Sequence, residues 1–538
     1  MLKKLKAWWA LDLEAEKNSA DNPLTALSDN QRRNAGPLLA LAFGWGFLVT
    51  GLFTGSQLGN GIPFWPDIIL STFLGNLANF IVGAIVGYIG YKTACNSGLL
   101  YRYVYGNVGA YIPVLFISIL TIGWQGIVVG AFGITWTLAL HPNIEATEIF
   151  SSSTFLTTAI LAGILYTATT YFGVKGLERI SIPSVAVLVF VGLYAIYLNI
   201  VQAGGFTGFQ ALSTAITAKS QMTTIEAINI VIGSWIVGAV VMPEYTRFAK
   251  KGWVAIAIPF IVLIIAQWFL QILGALGGVV SNDSLFSVFL GVDLNILMQQ
   301  GMIIGWIGII GMSLALWTTG DANLYLPVIQ TSSILKRPKH VMTVICGILG
   351  TILGLGLYQY FFEFLGLLAS IVPPLIGPVI VEYYLINKEK FHSGNFEGVA
   401  SWNPSAFIAY VIGAISTYYS PVFIMPAITG LISSMVIYWL ARKLLKYKKK
   451  KNNFKEWIPR SGDEWKALII MITVAFAILT FLMALIIGIT EENQECETVT
   501  WYEYGEKKTG QICGEERIQM NIIRDEMGIY KKEELWDD

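Results

Sequence analysis

Two adjacent threonines, Thr318 and Thr319, follow Ala315 by three and four residues within an apolar run. Residues at this spacing share one face of a helix. Two hydroxyl oxygens and a nearby carbonyl suit a small hard cation, which prefers oxygen ligands. The alternative is that each hydroxyl bonds back to a carbonyl of its own helix, as is common in membrane-spanning helices. The spacing therefore predicts either a cation site or a self-satisfied helical turn.

Two tryptophans, Trp124 and Trp235, stand near the middle of two other apolar runs. Two indoles that face one cavity form a slot in which a flat aromatic ring is held by stacking. The neighbouring side chains of Thr121, Gln125 and Ser234 offer donors and acceptors for the edge of such a ring. The alternative is that each indole only fills the core, which is a serious alternative in a chain with 17 tryptophans.

Gly320 and Asp321 directly follow the threonine pair. An acid at membrane depth is costly, which makes Asp321 a functional candidate. Its alternative role is a carboxylate at the cytoplasmic mouth of the helix, paired with a loop lysine. The histidines show no metal-site spacing, and no nucleophile–base or paired-carboxylate arrangement is present. We therefore predict that the protein is not an enzyme.

The composition sets the environment in which these groups must work. Of the 538 residues, 55% are hydrophobic and 13% are charged, and 35 basic residues balance 35 acidic ones. A soluble chain of this size cannot bury that much apolar surface. The composition excludes an ordinary soluble enzyme, a disordered chain and a basic nucleic-acid binder. It predicts an all-α polytopic membrane protein, because each spanning helix satisfies its own backbone hydrogen bonds.

Thirteen apolar runs are long enough to cross a bilayer, which takes about 20 residues. We number them as spans one to thirteen, at residues 36–58, 65–90, 110–139, 153–175, 180–203, 224–246, 252–280, 297–320, 339–359, 361–386, 404–421, 423–445 and 465–489. Alternate loops carry lysine and arginine, so the positive-inside rule places these loops and the N-terminus in the cytoplasm. The thirteenth span then carries the C-terminal tail to the outside.

Glycines interrupt spans one and six, at Gly44 and Gly46 in the first and at Gly233 and Gly238 in the sixth. Spans one and six are five spans apart along the chain, and two broken helices at this separation predict an inverted repeat of five helices plus five. The alternative is that the glycines only allow close helix packing. The predicted segments begin with a cytoplasmic tail at residues 1–35 and two five-helix repeats at 36–203 and 204–386. Spans eleven and twelve follow at 387–446 and a cytoplasmic linker at 447–464. The last two segments are span thirteen at 465–489 and an acidic extracellular tail at 490–538.

The tail contains Cys496 and Cys513, and the sequence between them predicts a hairpin with Gly505 near its turn. Outside the membrane a disulfide is chemically permitted, and we predict one between these two cysteines. The alternative is a pair of free thiols. Cys95 and Cys346 stand alone in apolar surroundings and are predicted to be inert packing residues.

Short motifs occur in the order known from one transporter family. They are Phe53–Gly59, Gly87–Thr93, Gly123–Trp124, Gly233–Trp235, Glu244–Phe248, Leu316–Asp321, Pro373–Pro374 and Glu382–Tyr383. On these motifs, from about residue 36 to residue 446, the chain resembles the nucleobase–cation symporter-1 family and most closely its bacterial cytosine permease branch. The resemblance implies a five-plus-five inverted-repeat, LeuT-like transporter with broken helices one and six and two further helices. The thirteenth helix and the tail fall outside it.

The resemblance also implies sodium- or proton-coupled uptake of nucleobases and relatives such as hydantoins. The positions that match the family's sodium ligands are Gly44, Phe47, Ala315, Thr318 and Thr319. Its stacking aromatics match Trp124 and Trp235, with Ser234 beside the second. Thr121 and Gly320 stand where cytosine permeases carry Gln and Asn, and the neighbouring Gln125 and Asp321 are the expected substitutes. The substrate thus stays open among cytosine, related pyrimidines, purines and other small heterocycles.

From these features we expect sodium-coupled symport of a nucleobase across the plasma membrane by alternating access, with sodium co-transported. The expected partners are the small-molecule substrate and the lipid bilayer, and no nucleic acid. One alternative is proton coupling, with Asp321 or Glu244 as the carrier. Another is a membrane receptor or scaffold that acts through the outer tail.

Overall fold

A computed structural model describes residues 9–10, 14, 22–142, 144–172, 189–217, 222–281, 288–289, 292–293, 296, 299–387, 399–420, 424–444, 496–503 and 506–513. Predicted span thirteen, the linker before it and most of the predicted cytoplasmic tail lie outside these residues. So do the basic loops that carry Lys175, Arg179, Lys388 and Lys390. The predicted segment boundaries therefore stay predictions.

The described residues form helices that we number in chain order. They are α1 Ala35–Gly46, α2 Thr50–Gly61, α3 Phe64–Thr93, α4 Ser97–Tyr105, α5 Tyr111–Leu140, α6 Ser153–Tyr171, α7 Val189–Gln202, α8 Phe206–Thr217, α9 Thr224–Val240, α10 Pro243–Thr246, α11 Gly252–Ser281, α12 Met302–Leu335, α13 Lys339–Gly354, α14 Phe361–Val381, α15 Pro404–Tyr418 and α16 Pro426–Leu444. The strands β1 Val288–Phe289 and β2 Val292–Asp293 pair in antiparallel orientation between α11 and α12.

The helices place apolar side chains outside and many polar side chains inside. Among the described residues, seven helices are long and apolar enough to cross a membrane, and there are up to nine such spans if each of two bent pairs is one span. Large apolar side chains such as Phe190 and Ile303 are exposed, whereas Asn76 and Gln267 are fully buried. A bilayer solvates the apolar surface, and the polar groups find partners among the helices. The predicted helical membrane architecture is confirmed.

Span one is broken as predicted. The helices α1 and α2 are bent by 40° at residues Phe47 to Val49. A Cβ atom added to Gly46 would come within 2.7 Å of the Ala266 side chain, so only glycine permits α11 to pack this closely. The glycines of span one therefore serve both the break and the packing around it.

Span six is interrupted at a different place from the one predicted. The helix α9 continues through Gly233 and Gly238 and ends at Val240, and α10 begins at Pro243. Proline has no N–H group and so cannot continue the helical hydrogen-bond ladder. A Cβ on Gly233 would lie 2.2 Å from the Leu365 carbonyl oxygen, so that this glycine serves close helix packing.

Span eight is longer than the predicted run of 297–320. The helix α12 extends from Met302 to Leu335, so Gly320 and Asp321 lie in its interior rather than at a membrane mouth. The predicted apolar run ended at residue 320, whereas the helix continues through the polar residues Asn323 and Gln330. Both are buried against neighbouring helices. Polar residues that face the interior of the bundle or a cavity can continue a spanning helix.

Two shorter helices accompany the spans and were not predicted. The helix α8 follows α7 after Gly204 and Gly205, whose φ angles are +78° and +92°. Such angles are accessible to glycine at little steric cost. The chain bends by 82° between α7 and α8. The second short helix, α4, is almost entirely buried after the left-handed residue Ala94.

The segment 22–34, which we call the N-terminal strap, is hydrogen-bonded to chain segments that follow α3 and α10. The Leu27 N–H donates to the Ala94 carbonyl at 2.9 Å, and the Arg33 N–H donates to the Phe248 carbonyl at 2.7 Å. The strap thereby ties spans two and six together at one end.

The strands β3 Cys496–Glu503 and β4 Glu506–Cys513 form the predicted hairpin in the tail. Their register places Cys496 directly opposite Cys513. Opposed residues of an antiparallel pair have Cα atoms about 4.5–5.5 Å apart, within the range that a disulfide spans. The register is therefore compatible with the disulfide, which stays a prediction. Cys95 and Cys346 are buried.

Candidate substrate and cation site

Helices of spans one, three, six and eight enclose a small cavity. Its volume is about 30 Å³, enough for roughly one water molecule. Its lining residues are Trp45, Leu48, Thr50, Thr121, Trp124, Ser234, Trp235, Val237, Gly238, Asn323 and Leu326. A planar heterocycle is larger than this space, so its entry requires the surrounding helices to move apart.

The cavity brings the two predicted tryptophans together. Trp124 and Trp235 both line it, although they lie on different helices. The ring of Trp45, which also lines the cavity, packs against Trp235 in a T-shaped arrangement at 5.3 Å between centroids, and Trp45 in turn packs on Tyr245 at 4.0 Å. The edge of Phe364 packs against Trp124 at 5.6 Å. Aromatic neighbours thus hold both indoles, which favours a fixed stacking slot.

Two predicted polar residues, Thr121 and Ser234, also line the cavity. The Thr121 hydroxyl donates to the carbonyls of Ile117 and Ser118 at 3.0 and 2.9 Å. The Ser234 hydroxyl donates to the Val231 carbonyl at 2.7 Å. The Ser234 oxygen also accepts from the Gln271 amide at 3.4 Å. Because their protons are engaged by the helices, both hydroxyls can offer a ligand only their remaining acceptor capacity.

Asn323 is a cavity residue that was not predicted from the sequence. Its side chain lines the cavity, and its buried Nδ2 atom has no hydrogen-bond partner within the described part of the chain. The indole Nε1 of Trp235 is likewise buried and unpaired there. Buried donors normally have partners, so these two groups are suited to bind a ligand. The available signal was the spacing, since Asn323 follows Thr319 by four residues on one helix face.

Gln125 does not reach the cavity. A Cβ placed on Gly350 of α13 would lie 2.6 Å from the Gln125 Cγ atom, so this side chain packs between α5 and α13. The prediction that Gln125 reads the substrate edge is therefore not supported by its position. Trp124 lines the cavity, and the next residue along a helix points about 100° away from it.

Gly320 and Asp321 also lie away from the cavity, against α6. A Cβ on Gly320 would meet the Tyr166 ring at 2.4 Å. The Asp321 carboxylate accepts hydrogen bonds from the hydroxyls of Thr169, at 2.5 Å, and Thr170, at 3.4 Å. Both residues therefore contribute to packing between α6 and α12 rather than to substrate recognition. The expected substitution of Asp321 for a substrate-reading residue is corrected accordingly.

The threonine pair lies where α12 meets the break in span one. The hydroxyls of Thr318 and Thr319 donate to the Ala315 carbonyl at 3.0 and 2.8 Å, as the alternative interpretation expected. In addition, the Val49 N–H donates to the Thr319 Oγ1 atom at 3.2 Å. Thr319 therefore joins α12 to the break, which a purely intrahelical role does not require.

Span one contributes Gly44 and Phe47 beside this junction. Gly44 is buried in the last turn of α1, and Phe47 leaves the helix with φ −83° and ψ 48°. At the break, the Nε2 atom of Gln267 donates hydrogen bonds to the carbonyls of Gly46 and Leu48. The donor set offered by the five predicted positions consists of neutral oxygens from two helices. Such oxygens fit a small hard monovalent cation.

Comparisons with known proteins agree with this geometry. A family described as "Permease for cytosine/purines, uracil, thiamine, allantoin" matches residues 32–441. The cytosine permease of Escherichia coli (strain K12) is 27% identical over 387 residues, which cover 71% of this chain and 86% of that protein.

Two solved structures resemble the fold. The first is Mhp1, a nucleobase–cation-symport-1 family transporter in a closed conformation with bromovinylhydantoin bound. It gives a TM-score of 0.63 at 18% identity and covers 84% of this chain and all of that one. The second is a Na⁺-coupled sialic acid symporter in a substrate-bound outward-open state. It gives a TM-score of 0.55 at 11% identity and covers 80% of this chain and 95% of that one. The predicted LeuT-like transporter fold is confirmed by these likenesses.

Proposed function

Because the chain belongs to the family of permeases for cytosine and purines, uracil, thiamine and allantoin, we propose that it is a sodium-coupled nucleobase symporter. It is a multi-pass membrane transporter and not an enzyme, as its relatives are permeases. The proposed cargo is cytosine or a related pyrimidine or purine heterocycle, carried into the cell together with sodium.

One observation supports the proposed coupling between sodium binding and substrate binding. The break in span one borders both sites, since Leu48 and Thr50 line the cavity while Val49 between them binds Thr319. A ligand that orders this short segment from one side changes the free energy of binding on the other side. Such coupling is reciprocal, so each ligand is expected to bind more tightly when the other is present.

The proposed cycle uses this shared segment. Sodium bound by the carbonyls of Gly44, Phe47 and Ala315 and the hydroxyls of Thr318 and Thr319 ties span one to span eight. This tie favours the outward-open conformation and preorganises the stacking slot. Substrate then binds between Trp124 and Trp235, and the doubly loaded protein shifts its population toward occlusion and inward opening. No covalent chemistry is involved.

The cavity favours a flat heterocycle that carries both donors and acceptors. The indoles of Trp124 and Trp235 supply the stacking faces. The Nε1 of Trp235 and the Nδ2 of Asn323 supply donors, while Thr121 and Ser234 supply acceptors. Nucleobases combine a planar ring with polar edge groups, which matches this distribution. The cytosine permease relative makes cytosine the first substrate to test.

Removal of the Asn323 amide tests whether this side chain donates a hydrogen bond to the edge of the substrate ring. We expect Asn323→Leu to weaken substrate binding about tenfold, because a lost hydrogen bond with one buried partner left unpaired costs about 1–3 kcal/mol. The sodium concentration for half-maximal binding at saturating substrate should change less than threefold. Titration calorimetry with the purified protein measures both quantities. Gln330→Leu is the matched control, since this amide lies on the same helix outside the cavity lining. Equal losses in both variants would contradict the role of Asn323.

The proposed location is the plasma membrane, with the N-terminus in the cytoplasm and the C-terminal tail outside. The distribution of lysine and arginine over alternate loops supports this orientation. The proposal follows the positive-inside rule, and accessibility of cysteines placed in the tail would test it.

Replacement of sodium tests the coupling ion. We expect uptake of radiolabelled cytosine into proteoliposomes to fall at least tenfold when choline replaces sodium at constant ionic strength and pH, because choline cannot enter a compact oxygen site. A proton gradient imposed without sodium should not restore uptake. Uptake that persists undiminished without sodium would contradict the sodium proposal and favour a proton-coupled symporter. Uptake that survives deletion of residues 490–538 would reject a receptor or scaffold that acts through the tail.

A further inference from the structure

One buried side chain of span seven holds the break in span one. Gln267 of α11 is fully buried. Its Nε2 atom donates to the carbonyl of Gly46 at 2.6 Å and to the carbonyl of Leu48 at 3.2 Å. A single amide group therefore engages the last residue of α1 and a residue of the break.

These two hydrogen bonds fix the backbone on either side of Phe47. Each peptide group is planar, so anchoring a carbonyl oxygen orients the whole peptide plane. The Gly46 carbonyl orients the plane before Phe47, and the Leu48 carbonyl orients the plane after Leu48. The Phe47 carbonyl lies in the peptide between these two anchored planes. Its direction therefore depends on the Gln267 amide.

The neighbouring glycine makes room for this contact. A Cβ on Gly51 would stand 2.6 Å from the Gln267 Oε1 atom and 2.9 Å from the Leu270 side chain. On its other side the break is held by the hydrogen bond from Val49 to Thr319. The segment is thus fixed by hydrogen bonds from α11 and to α12.

We propose that Gln267 is a positioning residue for the co-transported cation, which orients the Phe47 carbonyl toward the site formed with α12. This inference rests on the proposed sodium site and assigns to span seven a role that the sequence analysis did not give it. Without the amide, the carbonyls of Gly46 and Leu48 lose their hydrogen bonds to α11, and the backbone ligand of the cation must be ordered upon binding. Ordering at that stage weakens the affinity for the ion.

A sodium titration of thermal stability tests the proposal without a transport assay. Purified protein is titrated with sodium chloride, with choline chloride keeping the ionic strength constant, since a bound ion stabilises the folded state by mass action. We expect Gln267→Met, which keeps the length of the side chain but loses the donor, to raise the half-saturating sodium concentration about tenfold. Substrate affinity at saturating sodium should stay within threefold of the wild-type value.

Two further variants separate positioning from general damage. Gln271→Met removes an amide one turn away on the same helix, whose contacts are with Asn76 and Ser234 and not with the break. It should leave the half-saturating sodium concentration within twofold of the wild-type value. Gln267→Asn keeps the donor on a shorter side chain and should shift sodium binding in the same direction as Gln267→Met, which protects the test against failure of one variant to fold.

The outcomes distinguish this inference from the proposed function. A wild-type protein that sodium stabilises, together with Gln267 variants whose half-saturating concentration changes less than twofold, would overturn the role of Gln267 alone. Equal weakening of sodium and substrate binding in these variants would overturn it as well, because it would indicate a general structural effect. A wild-type protein without any sodium response would overturn the sodium proposal and this inference together.

Discussion

Alanine in place of Thr319 is expected to raise the sodium concentration for half-maximal uptake by about 10- to 100-fold. The substitution removes a proposed hydroxyl ligand of the cation and the acceptor of the Val49 N–H at the break in span one. Hydrogen bonds and contacts to charged groups contribute about 1.5–3 kcal/mol, and each 1.4 kcal/mol corresponds to a factor of ten. Substrate binding should weaken with it at low sodium and recover at high sodium, since the two sites are coupled.

The matched control for this variant is Thr331→Ala on the same helix. The Thr331 hydroxyl is also buried, and it donates to the carbonyl of Pro327 within its own helix. Uptake by this variant should depend on sodium as the wild type does. Thr319→Ser should restore most of the affinity because it keeps the oxygen. An unchanged sodium dependence in Thr319→Ala, measured by uptake into proteoliposomes, would show that this hydroxyl is not a ligand.

Loss of the Trp235 indole is expected to weaken substrate binding about 10- to 100-fold. Stacking of a base on an aromatic side chain contributes about 1–3 kcal/mol when measured by alanine substitution. The variant also removes the unpaired Nε1 donor and the ring against which Trp45 packs. Trp235→Ala should therefore lose more affinity than Trp235→Phe, which keeps a stacking face but no donor.

Equilibrium binding of labelled substrate at saturating sodium checks this order of affinities. Trp253→Ala is the control, since that indole lies on α11 and is 54% exposed on the outer surface. It should bind substrate with wild-type affinity. The stacking slot would be disproved by Trp235→Ala binding as tightly as the control. Equal affinities of Trp235→Ala and Trp235→Phe would instead show that the donor matters and the stacking face does not.

The sequence permitted good predictions where a single physical constraint acts on many residues. The apolar runs and the basic loops follow from the bilayer as solvent, and twelve of the predicted spans overlap with described helices. The break in span one was predictable because Gly44 and Gly46 interrupt an apolar run at membrane depth, where a transporter needs polar groups that recognise its substrate. Trp124 and Trp235 were predictable as partners because each lies far from the ends of its span, where indoles commonly collect.

Other features depend on contacts between distant residues and were not predictable. The glycines of span six resemble those of span one, yet Gly233 only lets α9 pack against α14, and the helix breaks before Pro243. Which of two neighbours faces the cavity depends on helix rotation, which misled the assignment of Gln125 and Asp321. Asn323 was missed for the same reason, since its position four residues after Thr319 does not by itself show that this face of the helix borders the cavity.

The N-terminal strap has a consequence for the order in which the molecule is assembled. Its first partner, the Ala94 carbonyl, is synthesised soon after the strap, but the Phe248 carbonyl follows roughly 200 residues later. At about 5–20 residues per second, the strap waits on the order of ten seconds or longer for its second partner. Docking to Phe248 therefore occurs only after span six has been inserted. Protection of the strap from protease during synthesis would accordingly show that the strap is bound to segments from both halves of the transporter.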